Sequence, residues 1–233
     1  MPLKDDLLAE VKTVFNSVWT KRDGQKVPEV GNLRLGNDAV ELDATVLYAD
    51  MTGSTIMVNE KTAEKSAEIY KSYMLCAGKI IKAEGGTITA YDGDRIMAVF
   101  IGDSKNTIAA RTGLKLQWAI DEIVNKGFKD FYSGETYVLK HVVGIDTSKL
   151  LVSRIGVRND NDLVWVGRAA NYAAKLSAIS DDSSVVYITK SVYDRLANES
   201  KFGGTNNTNM WEKRLWTNMN KMEIYRSTWR WQV

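Results

Sequence analysis

Apolar residues recur every three or four positions in several stretches of the chain, and this spacing predicts amphipathic helices. The first predicted helix covers residues 4–20, with apolar positions at Leu7, Val11, Val14, Phe15, Val18 and Trp19. The same spacing predicts further helices over residues 61–84, 104–126, 168–178 and 192–196. Gly85-Gly86 is expected to end the second helix, while Asp103 and Gly127 are expected to bound the third.

Shorter apolar runs, rich in β-branched and aromatic residues, predict strands at residues 44–49, 87–91, 95–101, 137–145, 163–166 and 184–189. Asp92-Gly93 lies between the second and third runs, and Asp-Gly in that position is a strong hairpin signal. The order is strand, helix, hairpin, helix, strands, helix, strand. This order predicts an α/β (α+β) sandwich of the ferredoxin-like kind, with a mostly antiparallel sheet flanked by helices.

Three parts are expected along the chain: an N-terminal helix and linker (residues 1–36), a central domain (37–200) and a C-terminal extension (201–233). The extension holds four of the seven tryptophans, at Trp211, Trp216, Trp229 and Trp231. We expect these rings to pack the extension onto the central domain, since large aromatic side chains are mostly buried. A surface that binds a partner is the alternative.

Composition narrows the functional classes. The net charge of +2 argues against a nucleic acid polymer or a membrane surface as a partner. The single cysteine, Cys76, suits a reducing compartment, and the absence of a long apolar run or signal-peptide core leads us to expect a cytoplasmic protein. Any histidine-based nucleophilic mechanism must use His141, the only histidine, and a zinc site with two histidines is excluded.

One acidic residue, Asp50, stands where the first predicted strand ends. The small residues Thr52, Gly53, Ser54 and Thr55 follow it. A buried charge is costly unless it is paired or binds a metal. Asp50 therefore either caps the next helix or closes a turn, or it belongs to a site.

The hairpin supplies a second acidic position. A tight turn needs one Asp and one Gly, so Asp94 is not required by the turn. If the hairpin is the sheet neighbour of the first strand, Asp50 and Asp94 lie at the same sheet end, where they repel each other without a cation. With divalent metal they would form a two-ion site, which usually acts on phosphates. Residues 52–55 can then direct backbone N–H groups towards a polyphosphate.

Three motifs of this chain resemble those of the class III nucleotidyl cyclases. The first is YADMTGST at residues 48–55, where an aromatic residue stands two before the aspartate. The second is the hairpin segment GDRIMAVF at residues 93–100, and the third is VGRAANYAAK at residues 166–175. Each motif alone is weak, but the three occur in the family's order across most of the chain.

The resemblance implies an intramolecular reaction in which the 3′ oxygen of a nucleoside triphosphate attacks the α-phosphorus and pyrophosphate is released. It implies two Mg²⁺ or Mn²⁺ ions, with Asp50, Met51 and Asp94 as the metal-binding residues. Asn171 would position the ribose and Lys175 would stabilise charge at the α-phosphate. These two residues lie four apart, so they share a helix face. An exposed structural face is the alternative for this pair.

The resemblance also implies a head-to-tail homodimer. The family builds each site from the two acids of one protomer and the Asn-basic helix of the other, and this chain carries both halves. A closed two-fold dimer would then contain two shared sites.

The chain departs from the family's purine enzymes at the positions that read the base. Those enzymes carry polar residues where this chain has Ala90 and Val164. Tyr48 is the expected aromatic residue beside the base, with core packing as its alternative. A pocket matched to a smaller base can reject a purine by size and by unpaired groups.

Other departures concern the phosphate contacts. The usual terminal Arg of the third motif is Lys175, which keeps the charge but loses the bidentate fork. A strand Arg is replaced by Val142, for which Lys140 is a candidate substitute, and a strand-closing Gly is Ser148. Lys221 is a candidate for the triphosphate-binding lysine.

The segment NDLVWVGRAANYAAK, residues 161–175, resembles the pyrimidine cyclases of bacterial Pycsar anti-phage defence. This resemblance implies cyclic UMP or cyclic CMP as the product, and a separate effector protein that senses it. A purine cyclase and a non-catalytic nucleotide-binding regulatory domain of the same fold remain alternatives.

Overall fold

The structure is a computed structural model, and it describes residues 2–233. The helices are α1 (Leu3–Asn16), α2 (Ser54–Glu60), α3 (Ala63–Ala83), α4 (Lys105–Ala119), α5 (Lys126–Phe131), α6 (Arg168–Ser177), α7 (Lys190–Tyr193) and α8 (Asn198–Lys201). The strands are β1 (Thr20–Asp23), β2 (Asp38–Thr52), β3 (Thr87–Asp92), β4 (Arg95–Phe100), β5 (Lys140–Val157), β6 (Asp160–Val166), β7 (Val185–Thr189), β8 (Phe202–Gly203), β9 (Thr208–Asn209), β10 (Glu212–Trp216) and β11 (Met222–Ser227).

The chain divides into two compact units. The smaller unit comprises Met1–Asp43 and Lys149–Gly167, and the larger comprises Ala44–Ser148 and Arg168–Val233. In the smaller unit β1 pairs in parallel with residues 38–41 of β2, and β6 pairs antiparallel with residues 151–157 of β5.

In the larger unit the strands follow the order β10-β11-β7-β5-β2-β4-β3. Pairing is antiparallel between β10 and β11, β11 and β7, β2 and β4, and β3 and β4, whereas β5 and β7 are parallel. The predicted helix-flanked, mostly antiparallel sheet is therefore confirmed. The β3–β4 hairpin lies at one edge of this sheet and the β10–β11 hairpin at the other.

Each face of this sheet has its own core. The larger core includes Tyr73 of α3, Leu114 of α4, and Leu47 and Ala49 of β2, all of them buried. A smaller core includes Leu176 of α6 and the strand residues Val142, Tyr187 and Ile224. Because successive strand residues point to opposite faces, α6 covers the face opposite to α3 and α4.

The predicted element boundaries are wrong in several places. The first helix ends at Asn16 rather than residue 20, and none of its residues is buried. The helix predicted over residues 104–126 continues past Gly127 to Phe131, through a π-helical turn at Ile120–Asn125. Asp103 is not its N-cap, since Ser104 holds that position. A glycine with ordinary helical dihedrals is tolerated at moderate cost, so it does not by itself end a helix.

The strands predicted over residues 44–49 and 137–145 are much longer, running from 38 to 52 and from 140 to 157. Both extensions pair with strands of the smaller unit, and such distant pairing partners cannot be read from local propensity.

The C-terminal segment packs within the larger unit. Trp211 and Trp216 are buried, while Trp229 and Trp231 pack against the larger core. The side chain of Gln117 donates a hydrogen bond to the carbonyl of Ser227 at 3.0 Å. Within residues 2–233, no helix combines the length and the apolar character needed to cross a bilayer.

Candidate active site

Asp50 lies at the end of β2, where the strand register pairs it with Arg95 of β4. Its neighbours Ala49 and Met51 point into the larger core, so strand alternation turns Asp50 to the opposite face. Tyr48 shares that face. Asp50 is half-buried, whereas a cap or turn aspartate at a strand end would ordinarily be solvated.

Asp94 follows Gly93 in the β3–β4 turn, where the positive φ of Gly93 (61°) allows a tight reversal. Two contacts bring Asp94 to the end of β2. The backbone N–H of Met51 donates to the carbonyl of Asp94 at 3.2 Å, and the hydroxyl of Ser54 donates to its carboxylate at 2.5 Å. The structure therefore places Asp50 and Asp94 side by side, and Ser54 orients the second carboxylate.

The folded environment raises the proton affinity of Asp50. The pKa of Asp50 is raised to about 7, first by burial and then by the charges of Asp94 and Asp92, with Arg95 opposing. Arg95 forms an ion pair with Asp92 at 2.6 Å, which reduces its ability to compensate Asp50. Two crowded carboxylates facing one region of space are the donor arrangement that a divalent cation stabilises.

The donor set fits hard cations. Asp50, Asp94 and the main chain around Met51 carry oxygen atoms, the ligand type that Mg²⁺ and Mn²⁺ prefer. Within the described part of the chain, no cluster of three or more His, Cys, Asp or Glu side chains offers an all-protein metal cage. A cation held by two carboxylates keeps coordination positions for substrate phosphates.

The segment after Asp50 turns sharply into a short helix. Gly53 has a left-handed backbone (φ 72°), and its carbonyl accepts the N–H of Met57, which closes the first turn of α2. Thr55 is exposed, while Thr52 and Ser54 are half-buried. The chain thus reverses beside the acid pair, and the first amides of α2 have no intrahelical partner because they lie at a helix start.

A row of three residues crosses the sheet beside Asp50. Tyr48 of β2 is directly opposite Met97 of β4, which is opposite Ala90 of β3. Burial raises the pKa of Tyr48 above its ordinary value. Met97, which sequence reasoning missed, is found only from the register. The row offers one phenol among apolar groups.

Asn171 and Lys175 lie on α6, and both are exposed. The Lys175 ammonium lies 3.9 Å from the sulfur of Met219, in the turn between β10 and β11. Lys175 lines a groove of about 950 Å³ together with Trp216 and Arg226, among others. Neither Asp50 nor Asp94 is among the described residues that line this groove.

The start of α6 is held firmly. Arg168 forms an ion pair at 3.0 Å with the fully buried Asp146 and donates to the carbonyl of Thr147 at 2.7 Å. Ser148 accepts the N–H of Ala169 at 2.9 Å, so its hydroxyl caps α6. The Ser148 departure noted in the sequence therefore has a structural role, which a sequence pattern alone does not reveal.

The acid pair and the Lys175 groove lie towards opposite edges of the sheet. From β11, which lines the Lys175 groove, to β2, which carries Asp50, the order is β11-β7-β5-β2. We call the acid pair one candidate half-site and the Asn171–Lys175 face of α6 the other.

The remaining candidate residues are dispersed. Val164 lies in the smaller unit, on β6 opposite Ser153. The ammonium group of Lys140 donates a hydrogen bond to the carbonyl of Asp182 at 2.7 Å, a contact that the sequence did not predict. Lys221 follows the β10–β11 turn with a positive φ of 58°, on the same hairpin as Met219.

His141 does not serve a nucleophilic mechanism. It is fully buried, and burial lowers the pKa of its imidazole to about 3, so the ring is neutral. Its Nδ1 lies 3.3 Å from the hydroxyl of Tyr73.

The comparison with protein families decides the class. The model of the "Adenylate and Guanylate cyclase catalytic domain" matches residues 39–225. The chain belongs to this family. The predicted class III cyclase resemblance and the predicted nucleotidyl cyclase activity are thereby confirmed.

Similar proteins span the whole chain. It is 51% identical to a uridylate cyclase of Xanthomonas perforans and 49% identical to a uridylate cyclase of Burkholderia cepacia, with 100% of both chains covered in each case. Among solved structures, the guanylyl cyclase Cya2 superposes with a TM-score of 0.69 at 19% identity, covering 82% of this chain and 94% of that one. At that identity the similarity supports the fold alone.

Proposed function

We propose that this cyclase converts UTP to 3′,5′-cyclic UMP and pyrophosphate. The observation that carries the proposal is the full-length similarity, at about half identity, to two proteins named uridylate cyclases. The sequence alone favours UTP only modestly over CTP, and these relatives favour UTP.

The row of residues beside the acid pair suits a small base. In the row Tyr48–Met97–Ala90, no side chain matches the Lys or Glu with which purine cyclases read their base. Tyr48 can close the pocket or stack on the ring of the base. A purine, which is larger, would then clash with Tyr48. Discrimination by size and by unpaired polar groups is what a pocket of this kind provides.

The reaction is an intramolecular displacement. The bond between the 3′ oxygen and the α-phosphorus forms, the bond from the α-phosphorus to the bridging oxygen breaks, and pyrophosphate leaves. The 3′ hydroxyl loses its proton to solvent. Charge builds on the α-phosphoryl group, so fixed cations and hydrogen-bond donors accelerate the step.

Asp50, Asp94 and the main chain at Met51 would hold two Mg²⁺ or Mn²⁺ ions. When bound, such ions lower the pKa of the 3′ hydroxyl and neutralise phosphate charge. Ser54 keeps the Asp94 carboxylate in place through its hydrogen bond. The backbone amides of residues 52–55 are suited to the triphosphate.

The second half-site would act on the sugar and the α-phosphate. Asn171 orients the ribose, Lys175 stabilises the charge that develops, and Lys221 contacts the terminal phosphates. Because the two halves are separated within one chain, we propose a head-to-tail homodimer with two shared sites. Asp50 and Asp94 come from one protomer, and Asn171 and Lys175 from the other.

The proposal extends to a biological role. Cyclic UMP would be a second messenger of anti-phage defence, made in the cytoplasm where nucleoside triphosphates are available. A separate effector protein would bind the product. The effector and the signal that starts synthesis have no counterpart in this chain.

The test is one competition reaction. The purified dimer is given equal UTP, CTP, ATP and GTP with Mn²⁺, and the cyclic products are separated by mass. Cyclic UMP is expected to dominate. Cyclic CMP as the main product would overturn the uridylate assignment but keep a pyrimidine enzyme, while a purine product would overturn both.

A pocket variant sharpens this test. Tyr48→Ala should reduce the preference for UTP over ATP by about tenfold, because the pocket widens. Tyr91→Ala is the matched control, since Tyr91 is an exposed tyrosine on β3, which is separated from β2 by β4. Equal effects of the two variants would contradict a role of Tyr48 in base choice.

A further inference from the structure

A second cavity, of about 390 Å³, lies on the face of the larger unit that carries α3 and α4. Its walls are α3, the π-helical turn Ile120–Asn125, α5, and the segment 132–139 that leads into β5. The lining is mostly aromatic and aliphatic, and it includes Ile69, Leu75, Phe128, Phe131 and Tyr137. Both the volume and the lining are typical of sites for small organic molecules.

The segment 132–139, which we call the strap, is fastened to α3. Glu135 bonds to the ammonium groups of Lys61 and Lys65, at 2.5 and 2.7 Å. The hydroxyl of Tyr132 donates to Glu68, a residue that also lines the cavity. At its other end, Asn125 makes two hydrogen bonds to the backbone of Leu139. The cavity is therefore closed on one side by a specific set of contacts.

One polar group of the cavity lacks a partner. The hydroxyl of Tyr137 is buried and forms no hydrogen bond to any described residue. Burial raises the pKa of this phenol to about 12, so it stays protonated and can donate. An unpaired buried hydroxyl is costly, and a ligand that displaces the strap far enough to hydrogen-bond to it removes this cost.

The cavity borders the residues behind the acid pair. On α3, Ile69, Ser72 and Cys76 line the cavity, and Tyr73 lies between them in the core. The strap ends at Leu139, two residues before His141. Tyr73 and His141 contact each other at 3.3 Å, and the charges of Asp50 and Asp94 reach the Tyr73 phenol, raising its pKa beyond the effect of burial.

We propose that this cavity is a regulatory site for a neutral, mainly aromatic small molecule with one hydrogen-bonding group. The ligand stacks among Phe128, Phe131 and Tyr137, and its polar group pairs with the Tyr137 hydroxyl. Its occupancy shifts α3 and the strap, and with them the Tyr73–His141 pair behind Asp50. The regulatory part rests on the proposed cyclase activity, whereas the binding part does not. The π-helical wall fits this role, since such turns are frequent at functional sites.

The binding test uses N-phenyl-1-naphthylamine, a neutral aromatic amine that fluoresces when it leaves water. The full-length protein is expected to bind one probe per chain with saturation. Tyr137→Phe should weaken binding by about two- to tenfold, the effect of one lost hydrogen bond. No saturable binding, or unchanged affinity in Tyr137→Phe, overturns the proposed ligand chemistry.

A filled-cavity variant locates the probe. Gly127 lines the cavity, and a Cβ added there meets no atom within 4 Å, so Gly127→Leu is chosen to extend a side chain over the cavity. It should abolish binding while its melting temperature stays at or above that of the wild type. Lys129→Leu, an exposed position on the same helix, is the matched control and should bind normally. Binding that survives in Gly127→Leu places the probe elsewhere and overturns the site.

Turnover of the preferred nucleotide is then measured with and without saturating probe. We expect kcat to change by at least about threefold in the wild type and in Lys129→Leu, and not in Gly127→Leu. Unchanged kcat in a wild type that binds the probe overturns the regulatory role. If no nucleotide is turned over, fluorescence still decides binding, so failure of the proposed function and failure of the site are distinguished.

Discussion

The two half-sites of the chain are built in different ways. The acid pair is fixed by the backbone, since Asp50 pairs with Arg95 at the start of β4, Asp94 lies in the turn just before it, and Ser54 and Met51 bond directly to Asp94. Asn171 and Lys175 lie on the exposed face of α6, whose start is held by Arg168 and Ser148 and whose other face packs through Leu176 into the smaller core. The acid pair already has the arrangement of a candidate metal site within one chain. The Asn171–Lys175 face needs a second surface packed against it.

The two half-sites differ in the electrostatic repulsion that the folded chain carries. Crowded carboxylates store repulsion that a cation relieves, so the first half is expected to respond to metal even in an isolated protomer. The exposed amide and ammonium carry no such strain, and we expect them to gain their effect only when a second protomer supplies the acids. Substitutions in the two halves should therefore behave differently.

The largest effect is expected from the acids. Asp50→Asn or Asp94→Asn should lower kcat by about a thousandfold or more, because several kcal/mol of transition-state charge stabilisation depend on the bound cations. Cyclic product formation with Mn²⁺ is the measurement. Asp92→Asn, which removes an acid of the same hairpin, should stay within about threefold of wild type. Near-normal turnover in either of the first two variants would contradict the metal assignment.

A smaller loss is expected in the other half. Asn171→Ala and Lys175→Ala should each lower kcat by about a hundredfold, in line with the removal of one preorganised group that stabilises developing charge. Neither substitution should change the melting temperature, since both side chains are exposed. Lys190→Ala removes a comparably exposed lysine from a surface ion pair and serves as the control. Equal losses of kcat in Lys175→Ala and in the Lys190→Ala control would show that Lys175 is only a surface charge.

The smallest effect concerns stability. The folded state raises the pKa of Asp50 from about 3.9 in the unfolded chain to about 7, so ionising this group costs stability. The cost is absent below about pH 4, grows between pH 4 and 7, and is complete above pH 7. In EDTA, Asp50→Asn should melt about 2–4 °C above wild type at pH 8 and equally with it at pH 4. Scanning calorimetry at both pH values checks this.

Mn²⁺ should reverse the order at pH 8, since only the wild type keeps both carboxylate ligands. A destabilised Asp50→Asn protein in EDTA at pH 8 would show that Asp94 does not oppose the ionisation of Asp50.

Much of the first half-site was accessible from the sequence. Asp-Gly between apolar runs fixes the hairpin locally, and the strand ending at Asp50 follows from its apolar run, so only their adjacency had to be inferred. Ser54 was singled out as a small residue for phosphate contacts, but its bond to Asp94 depends on how α2 turns, which propensity does not specify. Met97 was missed because it emerges only from the register with Tyr48 and Ala90.

The second half-site was less accessible. The Asn171–Lys175 spacing indicates a shared helix face, but nothing local indicates that Ser148 and Asp146 hold the start of this helix from a strand some twenty residues earlier. The π-helical turn at Ile120–Asn125 likewise could not be predicted from the sequence. Gly127 locally favours a helix end, but the tertiary packing of Ile120 and Val124 overrides that preference.

The separation of the two half-sites is tested most directly by complementation. Asp50→Asn and Asn171→Ala chains with different affinity tags are co-expressed, and the heterodimer is purified over both tags. One of its two sites combines intact acids with an intact Asn171, so it should recover about half of the wild-type rate per dimer, whereas each mutant homodimer stays nearly inactive. A verified heterodimer no more active than its parents would contradict sites shared between protomers.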